Sequence, residues 1–381
     1  MKTRTRKRAT RPNAVESGEI PPPKRAASPF VKLPPGWKSG ADVIDAVTSV
    51  RTCFLDFNRG VRVGGLPTRR IHTVTGKTHG GKTAFVMGLV RSFVSAGHVG
   101  GYIDAEHATP KQFAEEVLGS RLEDLDNLIA LRPSSYEETF DALISFLDWV
   151  AALRAKGVRA RDGSELCSIA VVDSVNKLTP KREMANLLKD GGKAADKGWG
   201  RYRANLNQAL LDHLVPLLAA ANCALVLIAQ LRKEDGTEAW EMPHIKGGAA
   251  LAFDASLIVE VDKARPMLHG DGKDAVTYGF RHRVRTWKSK VGQMDGRWDD
   301  SYFHLSNGVY VPPGLDLARD AVYVGKNLGA IKGSGSWLSW GRRRWNGEHL
   351  AVSALAKDGV LYRELFDDVS SRIDIAAGRG T

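Results

Sequence analysis

Short apolar runs rich in β-branched residues alternate with longer stretches of helical periodicity between residues 71 and 261. This alternation predicts an α/β fold with a mostly parallel sheet whose strands are connected by helices. The candidate strands are residues 71–75, 100–104, 128–131, 168–173, 224–230 and 256–261. Beyond residue 276 the apolar segments become longer and alternating, with a turn signal at Asn307-Gly308, which predicts antiparallel strands.

The segments on either side of this region carry other patterns. A capping signal at Ser39 and Asp42 precedes apolar residues at helical spacing up to Val50, which predicts a short amphipathic helix. Its apolar face could pack on its own domain or on a neighbouring subunit, since the spacing fits both. The predicted division of the chain is a helix with a lead-in segment, a core, a small α+β domain and a flexible tail, over residues 37–70, 71–320, 321–375 and 376–381.

The first 36 residues differ from the rest in composition. They hold seven of the sixteen prolines and nine Lys or Arg residues, against only Glu16 and Glu19. Low hydrophobicity with high charge predicts a disordered basic arm over residues 1–36. Three interpretations stay open: a solvated tail, an electrostatic arm for DNA, or an import peptide, because the first twelve residues are rich in arginine and lack acids.

Overall composition narrows the partners. The 381 residues include 55 basic and 43 acidic side chains, a formal charge of +12, which favours nucleic acid or an anionic membrane surface. No stretch approaches the roughly 18 apolar residues of a membrane span, and the N-terminus lacks the apolar core of a secretory signal. The three cysteines are far apart and fit neither a metal nor a redox pair. These features predict a soluble intracellular protein.

The most informative motif follows the first predicted core strand. It fits the pattern GxxxxGK[ST] and precedes a helical pattern over residues 84–94. In this context glycines let backbone N–H groups converge on phosphate oxygens at a helix N-terminus. Lys82 would contact the β- and γ-phosphates, and Thr83 would hold Mg²⁺. The predicted nucleotide-binding residues of this motif are Gly76, Lys77, Thr78, His79, Gly80, Gly81, Lys82, Thr83 and Ala84.

Acidic residues at two further strand ends complete the predicted site. Asp173 ends an apolar strand and is the predicted carboxylate on the Mg²⁺ side, although a turn former is an alternative. Glu106 follows another strand end and is the predicted base that orients the attacking water. Asp104 could instead cap the next turn, and a histidine such as His107 is more typically packed or solvated.

In order and spacing these motifs resemble the bacterial RecA recombinases, over roughly residues 52–372. The most distinctive runs are IDAEHA, VVDSV and IAQLR, at residues 103–108, 171–175 and 228–232. The resemblance implies a RecA-type P-loop ATPase core, a small C-terminal domain, ATP and Mg²⁺ as cofactors, and a helical filament with ATP at the subunit interface. It also assigns the hydrolytic water to Glu106 and the link between the γ-phosphate and DNA to Gln230.

The resemblance further places DNA-binding loops near residues 187–200 and 231–248. In the second loop, the family's paired glycines bring backbone amides to DNA phosphates, and basic and aromatic side chains suit contact with the backbone and stacking on bases. A solvated loop could have the same composition. Asn207, on the helix after the first loop, matches a phosphate contact of the family. The predicted DNA-binding residues are Arg201, Asn207, Arg232, Lys233, Trp240, Lys246, Gly247 and Gly248.

Two lysines and a C-terminal motif extend the likeness. Lys288 and Lys290 lie where the family places lysines that reach the ATP of the neighbouring subunit, although alone they would indicate a solvated strand edge. Cationic groups supplied in trans would make hydrolysis depend on the filament. The aromatic motif at residues 333–340 resembles the start of the family's C-terminal domain, and three arginines at 342–344 would suit duplex DNA.

Departures from the family indicate a divergent member, of bacterial or phage origin. Pro110 stands where the family has an acidic contact to adenine, which leaves base selectivity open, while Phe113 stands where an aromatic ring stacks on the base. The long N-terminal polymerisation helix is absent or reduced, and the C-terminus lacks an acidic tail.

The resemblance implies a cytoplasmic, ATP-dependent recombination protein, in a bacterium or a phage-infected host. It would form filaments on single-stranded DNA and catalyse homologous pairing and strand exchange with duplex DNA, with DNA-stimulated ATP hydrolysis. A hexameric helicase-like motor and a DNA-binding accessory protein without strand exchange are the alternatives. The C-terminal aromatic motif and the lysine pair argue against the motor, and the intact nucleotide motif argues against the accessory protein.

Overall fold

A nine-stranded sheet is the largest element of the structure. The computed structural model describes residues 47–189, 198–232, 244–245, 249–269, 275–292 and 300–379, all within the unit Val47–Thr381. The strands, numbered in chain order, are β1 (Ser49–Val50), β2 (Leu66–Pro67), β3 (Arg70–Thr75), β4 (Val99–Asp104), β5 (Leu128–Leu131), β6 (Ser168–Asp173), β7 (Cys223–Ile228), β8 (Leu231–Arg232), β9 (His244–Ile245), β10 (Leu257–His269), β11 (Val276–Ser289), β12 (Asp300–Ser306), β13 (Gly314–Leu315), β14 (Lys332–Ser334), β15 (Trp337–Trp340) and β16 (Arg343–Asn346).

The sheet combines a parallel and an antiparallel part, in the strand order β13-β12-β11-β10-β3-β7-β6-β4-β5. The strands from β10 to β5 in this order pair in parallel, whereas β10 to β13 pair antiparallel. The predicted α/β fold with a mostly parallel sheet is therefore confirmed. Strands β6 and β7 are buried along their whole length, as expected for parallel strands that are covered on both faces.

Helices cover both faces of this sheet. Within the described residues they are α1 (Leu55–Gly60), α2 (Lys82–Ser95), α3 (Lys111–Leu118), α4 (Tyr136–Ala155), α5 (Lys181–Lys189), α6 (Trp199–Ala220), α7 (Ala249–Phe253), α8 (Leu317–Asn327), α9 (Glu348–Lys357) and α10 (Gly359–Ala376). One face packs against α2 and α3, and the other against α4 and α6, so that two apolar layers enclose the strands. None of these helices is both long and apolar enough to cross a membrane.

The predicted N-terminal helix is wrong at its end. Ser49–Val50 forms strand β1, which pairs antiparallel with β2 through Val50 and Leu66. Val50 is buried in the core beside α2, so that tertiary burial decides its conformation more than its helical spacing does. Residues 39–46, which carry the rest of the predicted helix, and the basic arm 1–36 lie outside the described residues.

A separate apolar cluster holds the C-terminal elements together. Helices α8, α9 and α10 pack around it, and the antiparallel sheet β14-β15-β16 closes one side through Leu338 and the partly buried Trp340 and Trp345. Asp358 caps α10 by accepting from the N–H groups of Val360 and Leu361. These elements combine helix and sheet, as the predicted α+β unit does.

Candidate nucleotide-binding site

The glycine-rich motif forms the loop between β3 and α2, at the carboxyl ends of the parallel strands. Gly76 has a φ of +146° and Gly81 a φ of +95°, both in the region that favours glycine. A Cβ on Gly76 would lie 2.1 Å from the carbonyl oxygen of Val261, and one on Gly81 would lie 2.6 Å from the His282 ring. The close approach of β10 and β11 therefore fixes the loop as a cradle at the N-terminus of α2, which fits a phosphate group.

Lys82 starts α2 and folds back over this loop. Its Nζ donates to the carbonyl oxygens of Gly76, at 3.1 Å, and Lys77, at 2.8 Å. Burial lowers the pKa of Lys82, and the nearby carboxylates of Asp173 and Glu106 oppose this shift. The ammonium is thus held over the loop, and its contact with the β- and γ-phosphates stays a prediction.

Thr83, Asp173 and Tyr102 form a hydrogen-bonded group beside the loop. Asp173 ends β6, and its Oδ2 accepts from Thr83 Oγ1 at 2.9 Å and from the Tyr102 hydroxyl at 3.0 Å. Burial raises the pKa of Asp173, which both hydrogen bonds partly offset. The oxygen donors of Thr83 and Asp173 are of the type that Mg²⁺ prefers. The sequence reasoning missed Tyr102. The only signal that distinguishes this residue is its place in the strand that leads into the IDAEHA run.

Glu106 lies beside Asp173 because β4 and β6 are neighbours in the sheet. Its N–H donates to the Asp173 carbonyl oxygen at 3.1 Å, and its Oε1 accepts from Ser174 Oγ at 2.6 Å. The peptide bond between Asp173 and Ser174 is cis. The Glu106 side chain is exposed towards the site, so that its carboxylate is free to accept a hydrogen bond from a water molecule.

Asp104 has a different role, although it is only two residues away. It is buried, and its carboxylate accepts from the N–H groups of Ala108 and Thr109 and from Arg132 Nε. These bonds cap the turn after β4, which is the alternative that the sequence left open for this residue. The His107 side chain contacts the Pro133 carbonyl oxygen at 2.9 Å. Glu106 is therefore the acid of this run that remains available for catalysis.

A cavity of about 570 Å³ joins these groups, a size typical of ligand pockets. It contains most of the predicted nucleotide residues, including Phe113 at α3 and Gln230 after β7. Sequence reasoning missed one wall, because it comes from the antiparallel strands far along the chain. The residues of that wall are Lys263, Phe280, His282 and Leu305.

Gln230 lies between this cavity and the second predicted DNA loop. Its N–H donates to Asn176 Oδ1 at 2.6 Å, which anchors the chain just before β8. Strands β8 and β9 pair antiparallel, so that the ends of the intervening segment are held together. Arg232 is described by its backbone in β8. The predicted DNA contacts Lys233, Trp240, Lys246, Gly247 and Gly248 lie outside the described residues.

The predicted trans-acting lysines lie outside this cavity. Lys288 Nζ donates to the carbonyl oxygens of Ala252 and Phe253 at 2.7 and 2.8 Å, and Lys290 Nζ donates to Phe253 at 2.9 Å. Both lysines thus converge on the C-terminal end of α7, where the last carbonyl groups have no partner within the helix itself. Burial, and then the charge of Lys290, lowers the pKa of Lys288. The pair is displayed on one side of the strand end, as its spacing predicted.

The two predicted DNA contacts on α6 differ in accessibility. Arg201 is exposed in the first turn of the helix. Asn207 is only 7% exposed, and its Oδ1 accepts from the Tyr136 hydroxyl at 2.8 Å. The Asn207 side chain therefore packs towards α4, and its contact with DNA stays a prediction.

The fold and this site are those of the P-loop nucleoside triphosphatase family, with the loop after β3 and the carboxylate that is predicted to lie on the metal side on β6, one strand beyond β7. The family model of the RecA N-terminal domain matches residues 37–294. Protein RecA of a Thermus thermophilus strain is 30% identical over 336 residues, which cover 87% of this chain and 88% of its own length. Protein RecA of Sulfurimonas denitrificans is 27% identical over 338 residues, 88% and 87% of the two chains. The chain belongs to the RecA family.

Proposed function

We propose that this protein is a DNA-dependent ATPase that forms filaments on single-stranded DNA and catalyses homologous pairing and strand exchange with duplex DNA. The observation that carries the proposal is the convergence of Lys82, Glu106 and Gln230 on one cavity. Two of these residues fit binding and hydrolysis of a triphosphate, and the third connects the same cavity to a predicted DNA-binding loop. A nucleotide site that served hydrolysis alone would not need this connection.

In this proposal the loop backbone and Lys82 hold the triphosphate of ATP, and Thr83 and Asp173 hold Mg²⁺. When bound, Mg²⁺ supplies positive charge that neutralises the phosphate oxygens. Glu106 accepts a hydrogen bond from the attacking water and orients it towards the γ-phosphate. Ser174 keeps the Glu106 carboxylate in place through its 2.6 Å hydrogen bond. Hydrolysis then removes the γ-phosphate.

Gln230 is the proposed link between ATP and DNA. Gln230 lines the cavity and is the residue immediately before β8. Its backbone N–H donates to Asn176 Oδ1. A contact between Gln230 and the γ-phosphate would therefore be transmitted to the β8–β9 pair and to the loop that it closes. ATP binding and DNA binding would favour the same loop conformation, which makes the nucleotide a switch.

Assembly into a filament has support from the sheet edge opposite the antiparallel strands. Strand β5 is the outermost strand there, and Ile129, Leu131 and Trp149 are 43%, 36% and 42% exposed around it. Apolar cavities of about 300 and 360 Å³ flank the strand on its two sides. An open, apolar strand edge is a ready template for contact with another chain. We propose that a neighbouring subunit covers this edge and that Lys288 and Lys290 act on the neighbour's ATP.

The C-terminal sheet supports a contact with duplex DNA. Trp337 is 42% exposed, and the Arg344 guanidinium lies 5.1 Å from the centre of its indole ring. Ser339 and Arg344 are partners in the β15–β16 pair, and Lys332 faces Ser339 on β14, so these side chains share the outer face of the sheet. This face offers positive charge and hydrogen-bond donors to phosphates.

DNA-stimulated hydrolysis and filament formation test the proposal together. We expect ATP hydrolysis to rise when single-stranded DNA is added, and long helical filaments to appear by negative-stain electron microscopy with DNA and a slowly hydrolysed ATP analogue. Closed rings under the same conditions would favour a helicase-like motor instead. Hydrolysis that is indifferent to DNA would contradict the coupling.

Lys82→Ala tests whether pairing depends on the nucleotide. The substitution removes the ammonium that the loop carbonyls hold, and we expect loss of nucleotide binding and of homologous joint molecules. Lys156→Ala, which removes an exposed charge at the end of α4, is the matched control. Joint molecules that form equally well in both variants would refute the proposal.

A further inference from the structure

The nucleotide cavity has an end that lies away from the phosphate loop. His282 of β11 packs against Gly81 of this loop, and Phe280 lies two residues along the same strand. Residues two apart share a strand face and are about 6.6 Å apart, so that Phe280 is one step further from the phosphates. Leu305 of β12 pairs with Phe280, and Phe113 of α3 and Pro110, which precedes this helix, line the same cavity. These flat and apolar groups form the natural place for a nucleobase.

Lys263 is the cationic residue of this base end. It pairs with His282 across β10 and β11, and its Nζ lies 3.2 Å from the centre of the Phe280 ring. No carboxylate of the described residues lies within 4.0 Å of this ammonium. The adjacent Asp262 instead contacts Lys77 and Arg283. A planar base that stacks on Phe280 would displace the ammonium from the ring face, and the long side chain would keep it at the edge of the base.

Acceptors for an amino group are already engaged near this end. The Asp104 carboxylate accepts from Arg132 Nε, and the Thr109 carbonyl oxygen accepts from Arg132 Nη2 at 2.9 Å. The Thr109 hydroxyl is paired with the Tyr102 hydroxyl at 2.9 Å. Pro110, which follows, has a side chain without any acceptor. The base end thus presents a mobile hydrogen-bond donor, whereas each of these acceptors already accepts at least one hydrogen bond.

Purine bases differ in what they offer to such a donor. Guanine presents two acceptors, N7 and O6, on one edge, whereas adenine presents N7 together with an amino group that is itself a donor. An ammonium has three N–H donors and no acceptor. Lys263 therefore matches both groups of the guanine edge but only one group of the adenine edge, and it repels the amino group beside it.

We infer that this cavity binds guanine nucleoside triphosphates at least as tightly as ATP, and that Lys263 is the residue that recognises the base. The inference rests on the proposed nucleotide site but concerns its specificity. Phe280 contributes stacking to either purine, and Lys263 selects between them.

Equilibrium binding of ATP and GTP to the full-length protein, measured in Mg²⁺ with poorly hydrolysed analogues, tests this inference. We expect the dissociation constant for the GTP analogue to be equal to or lower than that for the ATP analogue. Lys263→Ala should shift the ratio of the two constants about fivefold towards ATP, the low end of what a paired contact to guanine provides, because Lys263 is exposed.

Two further variants separate recognition from general damage. Lys263→Glu should shift the ratio further towards ATP, because a carboxylate accepts from the adenine amino group and repels the guanine oxygen. Lys156→Ala should leave the ratio as it is in the unmodified protein. A loss of folding would weaken the binding of both nucleotides together. The ratio of the two dissociation constants therefore reports on the base contact itself.

The outcomes are distinct. Tight ATP binding with GTP bound more weakly than ATP would overturn the inference and leave the proposed function intact. A ratio that Lys263→Ala and Lys263→Glu do not move would also overturn it. Binding of neither nucleotide by the unmodified protein would overturn the proposed function and this inference with it.

Discussion

The two ends of the nucleotide cavity are built in different ways. The phosphate end combines backbone groups with several buried side chains, with Asp173 6% and His282 3% exposed and two glycines that cannot carry a Cβ. The base end includes an exposed lysine and a half-buried Phe113. Because phosphates are common to all nucleotides while bases differ, the rigid end fixes the chemistry and the softer end can change its specificity. Pro110, which stands where the family has an acidic contact to adenine, is such a change at the base end.

The largest effect is expected at the phosphate end. Glu106→Gln keeps the shape of the side chain but removes its charge, so we expect nucleotide and DNA binding to persist while kcat for hydrolysis falls about a thousandfold. Single-turnover ATP hydrolysis with saturating single-stranded DNA measures this effect. Filaments of the variant should still form with ATP.

A carboxylate that does not line the cavity serves as the control for Glu106→Gln. Glu115→Gln changes a carboxylate on α3 that accepts from the Leu122 N–H, and it should leave kcat near that of the unmodified protein. Undiminished hydrolysis by Glu106→Gln would remove Glu106 from the proposed chemistry.

The rigidity of the phosphate end can be broken through its backbone. Gly76→Ala places a methyl group 2.1 Å from a backbone oxygen at a φ of +146°, and should lower the free energy of unfolding by roughly 4 kcal/mol. Gly200→Ala is the matched control, because nothing lies within 4 Å of its Cβ position in α6. Urea denaturation compares the two, and equal stabilities would show that the loop is not held as tightly as described.

The pH dependence of the stability tests how deeply His282 is buried at the phosphate end. Burial lowers the pKa of His282 from 6.5 to about 4. Below about pH 6.5 the imidazole therefore binds a proton in the unfolded chain but not in the folded protein. Stability is lost as the pH falls from there through about pH 4. The expected loss from this residue is about 2 kcal/mol between about pH 7.5 and pH 5.

His282→Phe tests this value. The substitution keeps a ring to stack on Phe303, whose ring centre lies 4.9 Å from that of His282, and removes the titrating group. Urea denaturation at both pH values should show a smaller loss than in the unmodified protein. His213→Gln, which replaces an exposed histidine on α6, provides the comparison. An unchanged loss in the His282 variant would mean that the imidazole is hydrated in the folded protein.

Local patterns predicted much of this molecule for identifiable reasons. The run that ends at Asp173 is apolar on both faces, and the run that ends at Thr75 is rich in β-branched residues, so their strand character and their ends could be recognised without a fold. The helix predicted up to Val50 was wrong at its end, because the pairing of two residues with β2 can override the helical spacing of apolar residues. The choice between Asp104 and Glu106 needed hydrogen-bond partners, and the structure provides them through Arg132 and Ser174.

By itself the sequence determined the α/β class, the phosphate loop and the acids at neighbouring strand ends, because each is encoded in residues close together in the chain. Only the tertiary structure brought Lys263 and Phe280 to the nucleotide cavity, placed Tyr102 on Asp173 and turned Asn207 towards α4. Such contacts join residues far apart in sequence, and their geometry depends on how strands and helices pack. No local pattern encodes that packing.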